Sequence, residues 1–413
     1  MYQQLYNVGI RSYGLSIRLA QYFNAKAKSW VAGREGIYRN LKTSITKGDS
    51  ILWFHAASLG EAEQGVPVMQ QLKREFPDKK ILLTFFSPSG MDHFKNNGLA
   101  DYIFYLPLDT KANAKRFLDA VKPELAFFIK YEIWPNFFKQ IQKRNIPLII
   151  APAIFRADQF YFKAPHRSFF LPILQKVNSI LVQDENSKKV LNENGVTHVQ
   201  VCGDSRFDRV KQNVATPFEN VVLEEFSKGQ KVLIGGSTWS PGETILKEVL
   251  EQNPELKMIL APHDIRPENI QRILKLFGKD AFAYSKPPGN FTNYRVCIID
   301  NIGLLSRLYR FGQMAYIGGA FGKGIHNSLE AAAYGLPLFF GPNHTAFIEP
   351  AEMIAEGFAF EINRAADLQT FLKPLLESET QLNKLRAKAL DYVDRKAGAV
   401  EMIAGEVRAL LKK

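Results

Sequence analysis

The stretch Met314-Ala-Tyr-Ile-Gly-Gly-Ala-Phe-Gly-Lys-Gly-Ile-His-Asn-Ser-Leu-Glu330 decides how this chain folds. Its first four residues are apolar without alternation, the pattern of a strand buried on both faces. Gly318, Gly319, Gly322 and Gly324 follow, with Lys323 among them, and His326 and Asn327 stand where a helix begins. Strand, glycine-rich loop and helix in that order are the repeating half of a parallel α/β sheet. No Ser or Thr follows Lys323, so this is not a P-loop, and the glycine spacing is not a dinucleotide fingerprint. Backbone amides, the positive end of a helix and a lysine still suit an anion, and in an α/β setting a nucleotide phosphate is favoured over a purely structural turn. Glu330, one turn into the helix, is placed to reach ribose hydroxyls.

The same rhythm runs outward in both directions. Apolar runs at 51–56, 81–85, 102–105, 125–129, 148–151, 179–182 and 199–202 form one set. Runs at 232–235, 258–261, 296–299, 314–317 and 338–340 form a second. Segments of helical period, such as 61–76 and 111–121, separate them. A single hydrophobic core stops growing at roughly 250–300 residues, and this chain has 413. The expectation is an α/β protein with two doubly wound Rossmann-like domains facing across a cleft. Residues 1–47 read as a basic amphipathic segment, 48–205 as the first domain, 206–229 as a linker poor in bulky apolar residues, and 230–413 as the second domain with terminal helices. Ligands of such sheets bind beyond the carboxyl ends of the strands, which points to the cleft.

Charge is unevenly spread. The net charge is +12. Residues 1–205 carry 27 Lys and Arg against 17 Asp and Glu, or +10, and residues 206–413 carry 26 against 24, or +2. A one-sided basic field points to an anionic partner on the first half: nucleic acid, anionic lipid or a phosphorylated substrate. Within residues 1–47, Arg11, Arg18, Lys26, Lys28, Arg34, Arg39, Lys42 and Lys47 alternate with Leu5, Val8, Leu15, Leu19, Phe23 and Trp30. That mixture reads as an interfacial anchor on an anionic bilayer, or as a helix packed on its own domain. No run approaches the roughly 20 apolar residues of a spanning helix. Cys202 and Cys297 are far apart and form no disulfide or zinc pattern.

Other strand ends carry polar groups. Glu61, in His55-Ala-Ala-Ser-Leu-Gly-Glu61, lands at a helix start after a strand, where a carboxylate can take a proton from a hydroxyl or simply complement the helix dipole. Ser58 and Gly60 share that turn. Ser87, Ser89 and Gly90 form a second strand-end loop suited to an anion, and Glu132 precedes Trp134-Pro135 in a third. Gly235-Gly-Ser-Thr238 ends the first strand of the second set, with Ser237 and Thr238 as hydroxyl donors. The histidines show no metal-ligand spacing, so chemistry without a bound metal is expected.

In this order, the motifs resemble the bacterial 3-deoxy-D-manno-octulosonic acid (Kdo) transferase family. The match runs over residues 51–358, through Ser58-Leu-Gly-Glu61, the loop ending in Gly90, Glu132-Ile-Trp-Pro-Asn136, Asp204-Ser-Arg206-Phe-Asp208, Ser237-Thr238, and Gly318-Gly319 through His326-Asn327 to Glu330. The resemblance implies a GT-B glycosyltransferase that moves Kdo from CMP-Kdo to the phosphorylated lipid A precursor, by metal-independent inverting displacement. It implies Glu61 as catalytic base. It implies donor contacts from Ser237, Thr238, His263, Arg266, Gly318, Gly319, Lys323, Gly324, His326, Asn327 and Glu330. It implies acceptor or cleft roles for Ser58, Gly60, Ser87, Ser89, Gly90, Glu132 and Arg206. The implied place is the cytoplasmic face of the inner membrane, on an anionic surface, with no nucleic acid partner. The chain departs from the family at Lys130, where an acid is usual, at Pro152-Ala-Ile154, and at Pro262-His263-Asp264, where the family has Pro-Arg-His. Arg266 is the nearest substitute cation. Two other readings remain: a GT-B transferase or epimerase of UDP-sugars, and a non-catalytic nucleotide- or lipid-binding membrane protein.

Overall fold

A computed structural model describes residues 2–94 and 98–412. The chain forms two compact units, Met1–Asp208 with Ala397–Lys413, and Arg209–Lys396. Unit 1 holds seven strands: β1 (Ile51–Ala56), β2 (Lys80–Phe85), β3 (Tyr102–Tyr105), β4 (Leu125–Phe128), β5 (Leu148–Ala153), β6 (Ser179–Val182) and β7 (Val199–Val201). All pair in parallel, in the order β3-β2-β1-β4-β5-β6-β7. Unit 2 holds β8 (Lys231–Thr238), β9 (Leu256–Pro262), β10 (Ala281–Ala283), β11 (Val296–Ile298), β12 (Met314–Ile317), β13 (Leu338–Phe340) and β14 (Ala359–Glu361). These are also parallel, in the order β10-β11-β9-β8-β12-β13-β14.

Burial on both faces explains why the strands read as continuous apolar runs. Every residue of β1 is buried. Ile51 and Trp53 enter a core with Phe117, Phe128 and Phe137, while Leu52, Phe54 and Ala56 enter the opposite one with Met69 and Leu72. Successive side chains of a strand point to opposite faces, so with helices on each side no alternation survives. The edge strands β10 and β14 have three residues each and are only partly buried, too little apolar sequence to stand out as strands.

Two domain limits differ from expectation. The stretch 206–229 is largely helical: Ser205–Ala215 spans the unit boundary, and Val221–Ser227 is capped by Asn220, whose side chain accepts from Leu223 N–H at 3.1 Å. Phe207, Val210, Leu223 and Phe226 are buried, which is enough apolar surface to fix both helices. The second domain does not run to the end of the chain. Helix Ala399–Leu411 belongs to unit 1, where Val400, Ile403, Val407 and Leu410 join the core beneath Leu52 and Phe54. Arg408 pairs with Glu75 of helix Leu59–Glu75 at 2.8 Å.

Residues 2–44 form helices Tyr2–Ala20, Ala25–Ala32 and Ile37–Ser44. The first is held on the body by a buried carboxylate. Tyr6 donates its phenol hydrogen to Asp109 Oδ2 at 2.7 Å, and Asn136 and Phe137 N–H donate to the same side chain at 3.1 and 2.9 Å. Asp109 is fully buried, and burial pushes its carboxyl up to about 6. Gly14 lies against Leu108, where a Cβ would come within 2.6 Å of the leucine side chain. The opposite side of the same helix leaves Leu5, Val8, Leu15 and Leu19 in solvent, and Tyr22 and Phe23 follow, also exposed. The helix is therefore packed on its own unit along one side and apolar on the other. No helix among the described residues is long and apolar enough to cross a membrane.

Tyr6→Phe removes one hydrogen bond to a buried carboxylate, a loss of about 1–3 kcal/mol. Hydrogen exchange followed by mass spectrometry is expected to show faster exchange across Tyr2–Ala20; unchanged exchange would mean that ring packing alone holds the helix.

Candidate active site

In a doubly wound sheet the chain reverses its winding direction once, and the loops on either side of that place part to leave a crevice. Unit 1 reverses between β1 and β4, and unit 2 between β8 and β12. Polar motifs of the sequence leave the sheet at both places.

Beyond β1 the chain turns at Ser58, the residue before helix Leu59–Glu75, with extended backbone and no side-chain cap bond. Glu61, in the first turn, reaches back so that its Oε2 accepts the Ala57 N–H at 2.7 Å. The loop after β2 closes on the same turn. Ser87 N–H donates to Ala57 O at 2.8 Å, Ser89 Oγ accepts from Leu59 N–H at 3.3 Å, and the two serine hydroxyls lie 3.2 Å apart. The turn thus gathers Ser58, Gly60, Glu61, Ser87 and Ser89 at the positive end of one helix. Gly90 serves packing: a Cβ there would sit 2.1 Å from the Phe85 ring.

Beyond β4, Lys130 adopts a left-handed backbone with φ of 63°. Burial raises the Glu61 carboxyl above the ordinary carboxylate range, opposed by the Ala57 N–H and by the charge of Lys130. Glu132 is pushed up to about 7, first by burial and then by the negative charge of Glu61. Glu132 also lines a cavity of 610 Å³ with Tyr6, Trp134, Tyr161 and His166. Two carboxylates of raised proton affinity and a lysine therefore share one end of the sheet. Arg206 is engaged by Asp204, its Nε donating to Oδ2 at 2.7 Å.

In unit 2, Ser237 takes a left-handed backbone with φ of 50° at the end of β8, and Gly319 has φ of 94° after β12. The two strand ends approach so closely that a Cβ on Gly318 would lie 2.0 Å from Ser237 O. Beside them is a pocket of 480 Å³ whose lining includes His263, Gly319, Lys323, Gly324 and His326. Trp239, Tyr316 and Phe321 also line it, and sequence reasoning did not single them out. Trp239 had a usable signal, since it directly follows Ser237-Thr238 at a strand end.

Other expected donor contacts are turned elsewhere. Thr238 is buried and donates to Glu243 Oε1 at 2.9 Å, and Glu243 pairs with Arg272. Arg266 is chelated by Asp264, with Nε–Oδ2 at 2.9 Å and Nη2–Oδ2 at 2.5 Å, and does not line the pocket. An aspartate two residues away is its partner in this structure. Asn327 Oδ1 accepts the Leu329 N–H at 3.1 Å, and Glu330 sits partly buried in the short helix Leu329–Ala333. The N–H groups of Gly322, Gly324, Ile325 and His326 already bond to carbonyls within or beside the loop. Fewer amides than expected are left to face an anion. Among the described residues no cluster of three or more His, Cys, Asp and Glu side chains is arranged to hold a metal ion.

A family model described as 3-deoxy-D-manno-octulosonic-acid transferase (kdotransferase) matches residues 29–209. The 3-deoxy-D-manno-octulosonic acid transferase of Aquifex aeolicus is 30% identical over 350 residues, covering 83% of this chain and 90% of that protein. The protein of the same name from Haemophilus influenzae is 27% identical over 396 residues, 93% and 92% respectively. Among solved structures, the UDP-GlcNAc 2-epimerase of Neisseria meningitidis bound to UDP-GlcNAc superposes with a TM-score of 0.58 at 15% identity, covering 88% of this chain and all of that one (100%). Acinetobacter baumannii MurG gives 0.52 at 14%, covering 87% and 99%. At such low identity these two speak for the fold alone, and that fold is the GT-B class expected from the sequence.

Because the Glu61 charge raises Glu132, Glu61→Gln is expected to lower the Glu132 carboxyl from about 7. Carbon-13 NMR of labelled glutamate carboxyls reads this directly, and an unmoved titration would show that burial alone sets it.

Proposed function

The chain belongs to the 3-deoxy-D-manno-octulosonic acid transferase family of glycosyltransferases, and on that premise we propose that it moves Kdo from CMP-Kdo to the phosphorylated lipid A precursor, lipid IVA. The observation that carries the proposal is the pair of polar sites at the two switch points. One holds a carboxylate with raised proton affinity, and the other an anion-suited pocket with Lys323 and two imidazoles.

The reaction follows from these groups. A sugar hydroxyl of the acceptor attacks the anomeric carbon of Kdo while the bond to the CMP phosphate breaks. The phosphate leaves with the bonding electrons, and attack from the opposite face inverts the anomeric centre. Glu61 takes the hydroxyl proton as the new bond forms, and its raised pKa brings a carboxylate closer to the working pH of a general base. Ser237, His263 and Lys323 meet the phosphate in this reading, and Ser87, Ser89 and Glu132 line the acceptor side. Their fixed dipoles and charges take the place of a metal ion or other cofactor.

The acceptor is anionic, which the +10 excess of residues 1–205 suits. The solvent-facing Leu5, Val8, Leu15 and Leu19, with Arg11 and Arg18 on the same helix, support a peripheral seat on an anionic bilayer, at the cytoplasmic face of the inner membrane.

Glu61→Gln is expected to lower turnover by about 10²-fold or more while CMP still binds. Mass spectrometry of the lipid product after incubation with CMP-Kdo and lipid IVA measures the first, and calorimetry with CMP and UDP the second. Near-normal turnover of the variant would remove Glu61 from the mechanism, and a preference for UDP would point to a different donor. Leu15→Glu with Leu19→Glu is expected to abolish sedimentation with anionic vesicles, and raised salt to weaken it in the unaltered chain. Binding indifferent to salt, lipid charge and these substitutions would end the membrane reading.

A further inference from the structure

Three rings close one wall of the unit 2 pocket, each carried by a different strand. Trp239 follows β8, His263 follows β9, and His326 ends the loop after β12; in the sheet those strands are neighbours, β9-β8-β12. His263 stacks on Trp239 with centroids 4.7 Å apart and planes 24° apart, and on His326 at 4.6 Å and 19°. The indole Nε1–H of Trp239 donates to Nε2 of His326 at 3.1 Å. Backbone bonds fix the two imidazoles, His263 N–H to Thr238 O and His326 N–H to Gly318 O, both at 3.0 Å.

An indole nitrogen only donates. Nε2 of His326 must then keep its lone pair, and the single proton of that ring sits on Nδ1. A second proton, on Nε2, would set two N–H groups against each other. His263 meets its neighbours through its faces, so its ring nitrogens lie at the rim of the stack. Two imidazolium ions at 4.6 Å would repel strongly, so the stack accommodates one added proton rather than two. The other charged groups nearby are accounted for: Lys323 shares the pocket, Asp264 is held by Arg266, and Glu243 is held by Arg272 and Thr238.

We propose that Trp239 is a positioning residue for the donor: by holding His326 neutral, it leaves His263 as the imidazole that takes a proton and meets the anionic group of the nucleotide. The inference rests on the CMP-Kdo reading of this pocket and deepens it.

The test uses the full chain and the methyl ester of CMP, whose single phosphate charge stays constant between pH 6 and 8. Calorimetry in buffers of different ionisation heat is expected to show binding that tightens as pH falls, with uptake of about one proton, as for one titrating imidazole. Nitrogen-15 NMR of labelled histidines is expected to show His326 as the neutral Nδ1–H form across that range. Trp239→Phe keeps an aromatic ring on this exposed site, 44% accessible, and removes the donor. It is expected to let His326 titrate and to weaken binding about 5- to 10-fold, the usual worth of one hydrogen bond. His263→Arg is expected to bind with little pH dependence. Unchanged affinity and an unchanged His326 tautomer in Trp239→Phe would overturn the role of Trp239. Failure of the unaltered chain to bind the ester at all would instead remove the donor reading beneath it.

Discussion

Parallel strands force every connection to return along the length of the sheet, and right-handed crossovers dictate which face each return occupies. In unit 1 the chain winds outward from β1 to β3, then restarts at β4 and winds the other way; in unit 2 it runs outward from β8 through β9 to the edge strand β10, steps back to β11, and restarts at β12 in the other direction. At each of these reversals the two neighbouring strands send their following connections to opposite faces. Space opens there without any cavity being carved from a core. Glu61 and Lys130 leave the sheet on either side of one reversal, and Ser237 and Gly319 on either side of the other. Chemistry sits where the topology leaves backbone uncovered.

Strand β1 and its neighbour β2 carry polar groups in a buried layer, joined by side-chain hydrogen bonds. Thr84 donates to Phe54 O at 3.2 Å and accepts from Trp53 Nε1–H at 2.8 Å. Its single hydroxyl proton is then in use, so the 3.0 Å contact with His55 makes that ring the Nδ1–H donor. Burial holds His55 down to about 3, so it stays neutral and adds no charge beneath the Glu61 turn. Arg34 fills a comparable structural role. Its guanidinium donates to Leu106, Trp30 and Phe86 carbonyls and lies 3.7 Å over the Trp30 ring, tying the helices of residues 2–44 to the loops after β2 and β3.

Much of this was legible in the sequence because parallel strands announce themselves as compact apolar runs. The runs at 51–56, 102–105, 179–182, 314–317 and 338–340 coincide with strands, and the helix at 111–121 with its full length. What escaped was whatever depends on partners far along the chain. β10 and β14 are strands only because a neighbour offers an edge. Helix Ala399–Leu411 has the same apolar spacing whichever unit it covers, so its destination could not be read. Local partners are hidden from the sequence in the same way: Asp264 pairs with Arg266, and Glu243 accepts from Thr238. Trp239 reads as one more aromatic until His263 and His326 are brought beside it.

The return of helix Ala399–Leu411 also sets a timetable. Val400, Ile403 and Val407 roof the side of the first sheet that Leu52 and Phe54 face, and they are made only after all of unit 2. During synthesis the part of that side not covered by helix Leu59–Glu75 has to wait while roughly 190 further residues emerge at about 5–20 per second. Unit 1 precedes unit 2 along the chain, yet its core is completed only after unit 2 has been made.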